Sequence, residues 1–173
     1  VPFTEFLPFE SFLRLIDFNK LIPKNFFSEG KDGQDFNRKL LPSICYEGIF
    51  PMQILSKITD DTLVIINISN DAWFGNYAGP KQHLTHVRYR TIESGLPMIR
   101  STNKGYSVLV NPIGRVIESI PINELNFIEF KIPNRLDKTI YVKYGDWPVI
   151  ILIALLFILL YILDVTIFRK RYL

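Results

Sequence analysis

Leu40-Leu41-Pro42-Ser43-Ile44-Cys45-Tyr46-Glu47-Gly48 is an apolar run that climbs into the only cysteine of the chain, with a carboxylate two positions beyond it. Helical spacing follows from about Ile49 to Ile58. The stretch reads as a strand, a tight turn and a helix, with the thiol at the turn. Such a junction projects a side chain into a cleft, and the N–H groups that open a helix favour nearby negative charge, a thiolate included. The same residues also fit an inert cysteine, because a lone thiol is among the most often buried side chains. The pattern alone leaves both readings open.

Around this stretch, 173 residues suffice for one domain with a real core. The chain is 48% hydrophobic and 14% aromatic, with 14 phenylalanines, which is rich for a soluble protein. Its 20 basic and 17 acidic residues nearly balance, which argues against a dedicated nucleic-acid binder. One cysteine forbids an intrachain disulfide. His83 and His86 stand three apart on an expected helix without a cysteine or carboxylate cluster, so no metal is expected. The sequence opens on Val1-Pro2-Phe3 without a signal-peptide pattern, and it reads as entered midway.

Residues 1–30 hold seven phenylalanines, broken by Pro2, Pro8 and Pro23. Phe12, Leu13, Leu15, Ile16, Phe18, Leu21 and Ile22 approximate an amphipathic helix with Arg14, Asp17 and Lys20 on its polar side. Either it packs on the domain or its aromatic face touches lipid. Residues 28–39 are a charged, glycine-containing surface loop. Leu63 to Ile68 is a β-branched run expected as a strand buried on both faces. A polar-aromatic loop, Asn70 to Gly75, leads to a helix that starts at Gly79-Pro80 and closes at Gly95. Strands are expected at Pro97–Ser101, Tyr106–Val110, Arg115–Ile120 and Phe127–Ile132, the middle two forming a hairpin about Asn111-Pro112-Ile113-Gly114. Arg90 and Glu93 can pair on the helix. The order of elements gives a mixed α/β sheet layered with helices.

The end of the chain differs in kind. Pro148 to Phe168 carries one charge, Asp164, and at about 1.5 Å per residue it matches the roughly 30 Å core of a bilayer. Trp147, Tyr161 and Tyr172 are placed as interfacial aromatics, and Arg169-Lys170-Arg171 puts the C-terminus in the cytoplasm. The alternative is a buried core helix. A transmembrane helix at 147–168 and a basic cytoplasmic tail at 169–173 follow, with the α/β domain on the extracytoplasmic side.

Several ordered blocks carry a family resemblance: Val1-Pro2-Phe3-Thr4-Glu5-Phe6, Ile44-Cys45-Tyr46-Glu47, Ser69-Asn70-Asp71-Ala72-Trp73-Phe74-Gly75, and Gly79-Pro80-Lys81-Gln82-His83. Arg88, Arg90, Glu93, Arg100-Ser101-Thr102-Asn103-Lys104-Gly105 and Gly145-Asp146-Trp147-Pro148 complete it. With these blocks the chain resembles the C-terminal part of the apolipoprotein N-acyltransferases, membrane members of the nitrilase (carbon–nitrogen hydrolase) superfamily. The resemblance implies a partial nitrilase-like α-β-β-α sandwich layer over residues 1–146, followed by the one transmembrane helix. It implies a location in a bacterial inner membrane, with the α/β domain periplasmic, and no cofactor.

The chemistry implied is a two-step acyl transfer. A cysteine thiolate takes a fatty acyl group from a phospholipid as a thioester. The α-amino group of the diacylglyceryl-cysteine opening an apolipoprotein then accepts it. On the resemblance Cys45 is the nucleophile, the Tyr46 N–H an oxyanion donor, and Glu5 and Glu47 supporting carboxylates. Asn70, Asp71, Trp73 and Phe74 line the substrate pocket or shape its loop. Glu47 also suits a purely local role in the first helical turn, and Arg88, Arg90 and Glu93 look structural.

The family's general-base Glu and its Lys are expected upstream of Val1, and Thr4 replaces the usual Gly. A thiol without a cation or base forms little thiolate near neutral pH, and losing a proton-transfer group costs about 10²–10⁴ in rate. Three readings follow: an acyltransferase completed by an upstream chain or segment, a membrane-bound remnant without catalysis, and a nitrilase-type amidase. The terminal span and the Asn-Asp-Ala-Trp-Phe-Gly block weigh against the third.

Overall fold

The computed structural model describes residues 39–171, with side chains described through residue 165. Glu5 and the amphipathic stretch around Phe12–Ile22 therefore lie outside the described residues. Three strands, β1 (Leu40–Ile44), β2 (Val64–Asn70) and β3 (Met98–Asn103), run parallel side by side. β4 (Ser107–Val110) and β5 (Val116–Ile120) extend the sheet as an antiparallel hairpin, in the order β1-β2-β3-β4-β5. Parallel neighbours need crossover connections. α1 (Pro51–Leu55) lies in the first, and α2 (Gly79–Ser94) fills the second.

Local chemistry sets the helix ends. Pro80 occupies the first turn of α2, where its missing N–H costs nothing, and Gly95 ends the helix at φ 74° with its N–H on Thr91 O at 2.8 Å. The helix expected over Ile49–Ile58 is divided. A 3₁₀ turn covers Cys45–Ile49, the chain extends at Phe50, and α1 begins at Pro51. The proline ring keeps the preceding residue out of helical geometry, so Phe50 breaks the run.

Register decides what the sheet buries. Leu41, Ile65, Met98 and Val110 pair across four strands. They form the core with Ile54, Leu84, Val87, Leu96 and Val108. Each such side chain contributes about 1.5–3 kcal/mol by leaving water. The opposite face is more open: Ile44 is 49% and Ile68 57% exposed, so β2 is not buried on both faces as its composition implied.

The strand expected over Phe127–Ile132 does not form; residues 124–139 have no regular structure. Its apolar residues are largely exposed, and the segment is fastened further along by side-chain and turn contacts instead of a ladder. Arg135 Nη1 donates to Asp60 O at 2.6 Å and Thr62 O at 2.7 Å, and Leu136 N donates to Gly95 O at 2.8 Å.

The chain divides into two units at Asp137/Lys138. The second contains α3 (Ile140–Tyr144), capped by Thr139 Oγ1 accepting from Val142 N at 3.1 Å, and α4 (Trp147–Arg171). Over Trp147–Val165, α4 has a mean hydropathy of 2.9 and no buried residue. By length and composition it is the one helix among the described residues able to cross a membrane.

Candidate functional site

Cys45 follows β1 directly and opens the 3₁₀ turn with φ 52°, a left-handed backbone that costs a side-chain-bearing residue about 1–2 kcal/mol. The thiol is half-buried. Several contacts hold this turn. The Glu47 carboxylate accepts from Ile44 N at 2.8 Å, tying the turn to the strand before it. Gly48 packs so closely that a Cβ there would lie 2.6 Å from Val87 Cγ1, so the turn sits directly on α2. Arg90 reaches back from α2 to donate to Ile49 O at 3.0 Å while pairing with Glu93 at 2.7 Å.

Behind the turn lies a buried polar cluster. Ser43, Asn67 and Arg100 are direct cross-strand partners on β1, β2 and β3, and each is at most 2% exposed. The Asn67 amide nitrogen lies 3.1 Å from both Ser43 O and Ser43 Oγ, and 3.5 Å from Cys45 O. Its oxygen accepts from Arg100 Nη1. Arg100 Nη2 donates to both oxygens of Asp71, at 3.0 and 2.7 Å, forming an ion pair with no exposed side-chain surface on either partner. Ser69 Oγ adds a 2.7 Å hydrogen bond to Asp71 Oδ1, and His83 Nδ1 lies 3.0 Å from the same oxygen.

The charges follow from these contacts. Burial opposes ionisation of Asp71. The His83 hydrogen bond, the Arg100 charge and the Ser69 hydroxyl outweigh it and hold the carboxyl below the usual carboxylate range. His83 Nδ1 faces both the Asp71 carboxylate, which can only accept, and Arg100 Nη2 at 3.2 Å, which can only donate, so the tautomer sets which of the two it bonds. Burial pulls Arg100 below its usual value against the attraction of Asp71, yet arginine stays cationic at neutral pH. A metal has no cradle here: among the described residues no three His, Cys, Asp or Glu side chains gather as ligands. His83 is buried against Asp71, while His86 is exposed.

The sequence-derived site residues scatter around this cluster. Cys45, Tyr46 and Glu47 share the turn, and Tyr46 and Phe74 flank the His83 ring with centroids 6.0 and 5.3 Å away. Asn70 Oδ1 accepts from Ala72 N at 3.1 Å and so caps the short 3₁₀ turn Asp71–Phe74. Asp71 is fully buried in the ion pair, whereas Trp73 is 87% exposed. Glu5 lies outside the described residues. A shallow hollow along α2, lined by Ala78, Lys81, Gln82, Thr85 and His86, shares no residue with this group.

Sequence reading gave no role to Ser43, Asn67 or His83, and it met Arg100 only inside a motif. A signal existed: Asn67 interrupts the apolar run Leu63–Ile68, and a polar residue there needs a buried partner.

Comparison with known proteins identifies the relatives. The carbon–nitrogen hydrolase family matches residues 14–141. The chain is similar to an apolipoprotein N-acyltransferase of Rickettsia bellii, 39% identical over 84% of this chain and 30% of that protein. Those of Rickettsia typhi and Haemophilus influenzae are 38% and 39% identical over 95% and 98% of this chain, and 34% and 33% of their own length. The chain thus spans about a third of the curated relatives it matches. With a family match over residues 14–141, most of its length, this chain belongs to the carbon–nitrogen hydrolase family.

Proposed function

We propose that this chain supplies the nucleophilic part of an apolipoprotein N-acyltransferase, with Cys45 as the residue that carries the acyl group. The observation that carries the reading is Cys45 itself. It stands in a left-handed backbone at the end of a parallel strand, half-exposed, on a turn braced from several sides. A cysteine kept only for packing needs none of that bracing.

In the first step the Cys45 thiolate attacks the ester carbonyl of a phospholipid. The C–S bond forms, the C–O bond breaks, and the lyso-lipid leaves as an alcohol after taking a proton. In the second step the neutral α-amino group of a diacylglyceryl-cysteine attacks the thioester. The amide forms, C–S breaks, and the amine's proton is lost to a base. The sulfur suits both halves, being a strong nucleophile and a good leaving group. The Tyr46 N–H, one residue past the nucleophile, is the candidate donor to the developing oxyanion. Glu5 and Glu47 are the candidate supporting carboxylates. Glu47 is already bonded to Ile44 N, so its part at Cys45 runs at least through the shape of the turn. The Glu base and Lys that the family resemblance puts ahead of Val1 complete the proton transfers, from a preceding segment or a second chain.

The substrate side is the apolar one. Trp73, 87% exposed within the turn that Asn70 caps, and the half-buried Phe74 are candidates for contact with acyl chains. α4 crosses the bilayer in this reading, over 147–168, with Arg169-Lys170-Arg171 on the cytoplasmic side and residues 1–146 on the extracytoplasmic side of the inner membrane. A membrane anchor on the same chain suits an enzyme whose two substrates are both lipid-borne, the phospholipid donor and the apolipoprotein acceptor.

The test is mass spectrometry of Cys45 after membranes bearing the chain meet phospholipid, with and without the protein segment encoded immediately upstream. An acyl adduct on Cys45, absent from Cys45→Ala, is the expected result. No adduct in either arm would make this chain a membrane-bound member of the family without acyl-transfer chemistry.

A further inference from the structure

We infer that Asn67 and Arg100 are positioning residues for Cys45, acting through the row of cross-strand contacts that ends on the nucleophile's own backbone. The inference rests on the assignment of Cys45 as nucleophile.

The row runs from the Asp71 carboxylate to the backbone around Cys45, its last link 3.5 Å from Cys45 O. Asp71 fixes the Arg100 guanidinium through both carboxylate oxygens, and the guanidinium fixes the Asn67 amide by donating to its oxygen. A side-chain amide cannot flip once its oxygen faces a cation. Its nitrogen is therefore turned toward Ser43 O and Ser43 Oγ, the residue two before Cys45, and toward Cys45 O. Asn67 thus holds the chain on both sides of Ile44, where it leaves the strand for the left-handed conformation at Cys45. Polar groups so deeply buried are costly unless hydrogen-bonded, and here each finds its partner in this one row. The apolar row of Leu41, Ile65 and Met98 already shows how the same three strands pack without them.

The experiment uses the full-length protein in its native membranes, with three substitutions: Asn67→Ala, Arg100→Met and Arg100→Lys. Met98→Ala, one row away and equally buried, is the packing control. Two rates are followed at Cys45 by peptide mass spectrometry: acylation by phospholipid and alkylation by iodoacetamide. Melting curves give the folded fraction.

Expected is a fall in the acylation rate per folded molecule on the order of 10²-fold for Asn67→Ala and Arg100→Met, as a nucleophile misplaced by about 1 Å loses. The KM for phospholipid should stay put. Arg100→Lys should recover part of the rate, and Met98→Ala should lower only the folded fraction. Alkylation should fall in the same two variants. Unchanged rates per folded molecule in Asn67→Ala and Arg100→Met, or a fall of equal size in Met98→Ala, would overturn the inference. If wild-type protein forms no acyl adduct, the acyl-transfer reading fails on its own. The alkylation rates then still decide whether the row positions the thiol.

Discussion

Two neighbouring rows on one face of the sheet behave in opposite ways. Leu41, Ile65 and Met98 form one, apolar and closed against α2. Ser43, Asn67 and Arg100, two residues further along the same strands, form the other, which is buried to the same degree and wholly polar. The first row needs only shape, since its stabilisation scales with area removed from water. The second has to match donors to acceptors, and each mismatch leaves a buried polar group unsatisfied. The difference teaches where to look for function in this fold. Packing is concentrated early in the parallel strands, while specific chemistry gathers where they end, beside the Cys45 turn.

The contrast can be broken most forcefully at Asp71. Asp71→Ala leaves Arg100 as a buried charge without its ion-pair partner, and should cost about 3–5 kcal/mol in denaturant unfolding. A loss under 1 kcal/mol would show that water already serves the guanidinium. Met98→Ala should cost roughly 3 kcal/mol by leaving a cavity, with the rate per folded molecule intact. A larger loss of rate than of stability would erase the distinction between the rows. Gly48→Ala brings a methyl against Val87 and should cost about 2 kcal/mol of overpacking while disturbing the turn that holds Cys45.

Acid titration sharpens the same contrast. Asp71 is held below its unfolded value near 3.9, so its contribution is complete above about pH 5 and is lost as pH falls through the unfolded and then the lower native value. Asp71→Asn should flatten that part of a stability–pH profile, and an unchanged profile would remove Asp71 from acid unfolding. The smallest effect is expected from Glu47→Gln, whose amide oxygen can still accept from Ile44 N. Stability should change by less than about 1 kcal/mol. Acylation kinetics then decide whether the charge of Glu47 matters beyond the hydrogen bond.

Much of the fold was legible because its signals are local. Pro80 and Gly95 bracket α2, the β-branched run Val64–Ile66 belongs to β2, and Asn111-Pro112-Ile113-Gly114 turns the β4–β5 hairpin. The exceptions share a cause. Phe127–Ile132 alternates like a strand, but alternation cannot tell whether a partner edge is in reach. Ile68 belongs to an apolar run, yet only register reveals that it faces the open side. The site divides in the same manner. The turn that holds Cys45 was readable from one stretch, because a turn is made of neighbours. The cluster behind it joins residues 43, 67, 71, 83 and 100, and their meeting depends on strand pairing that no single stretch contains. His83 was weighed only against His86, its neighbour in sequence, while its partner in space is Asp71.

The loop after β3 brings Gly105 so close over Asp71 that a methyl group there would stand 2.4 Å from Oδ2. Backbone thus occupies the space that water and dissolved ions would need to approach the carboxylate. Mobile ions damp exposed charges beyond about 8 Å at physiological ionic strength, but they act weakly on a pair they cannot surround. The arrangement behind Cys45 should therefore be indifferent to brine. On the proposed acyl-transfer function, any salt dependence then belongs to the meeting with charged lipid headgroups, before any bond is made or broken.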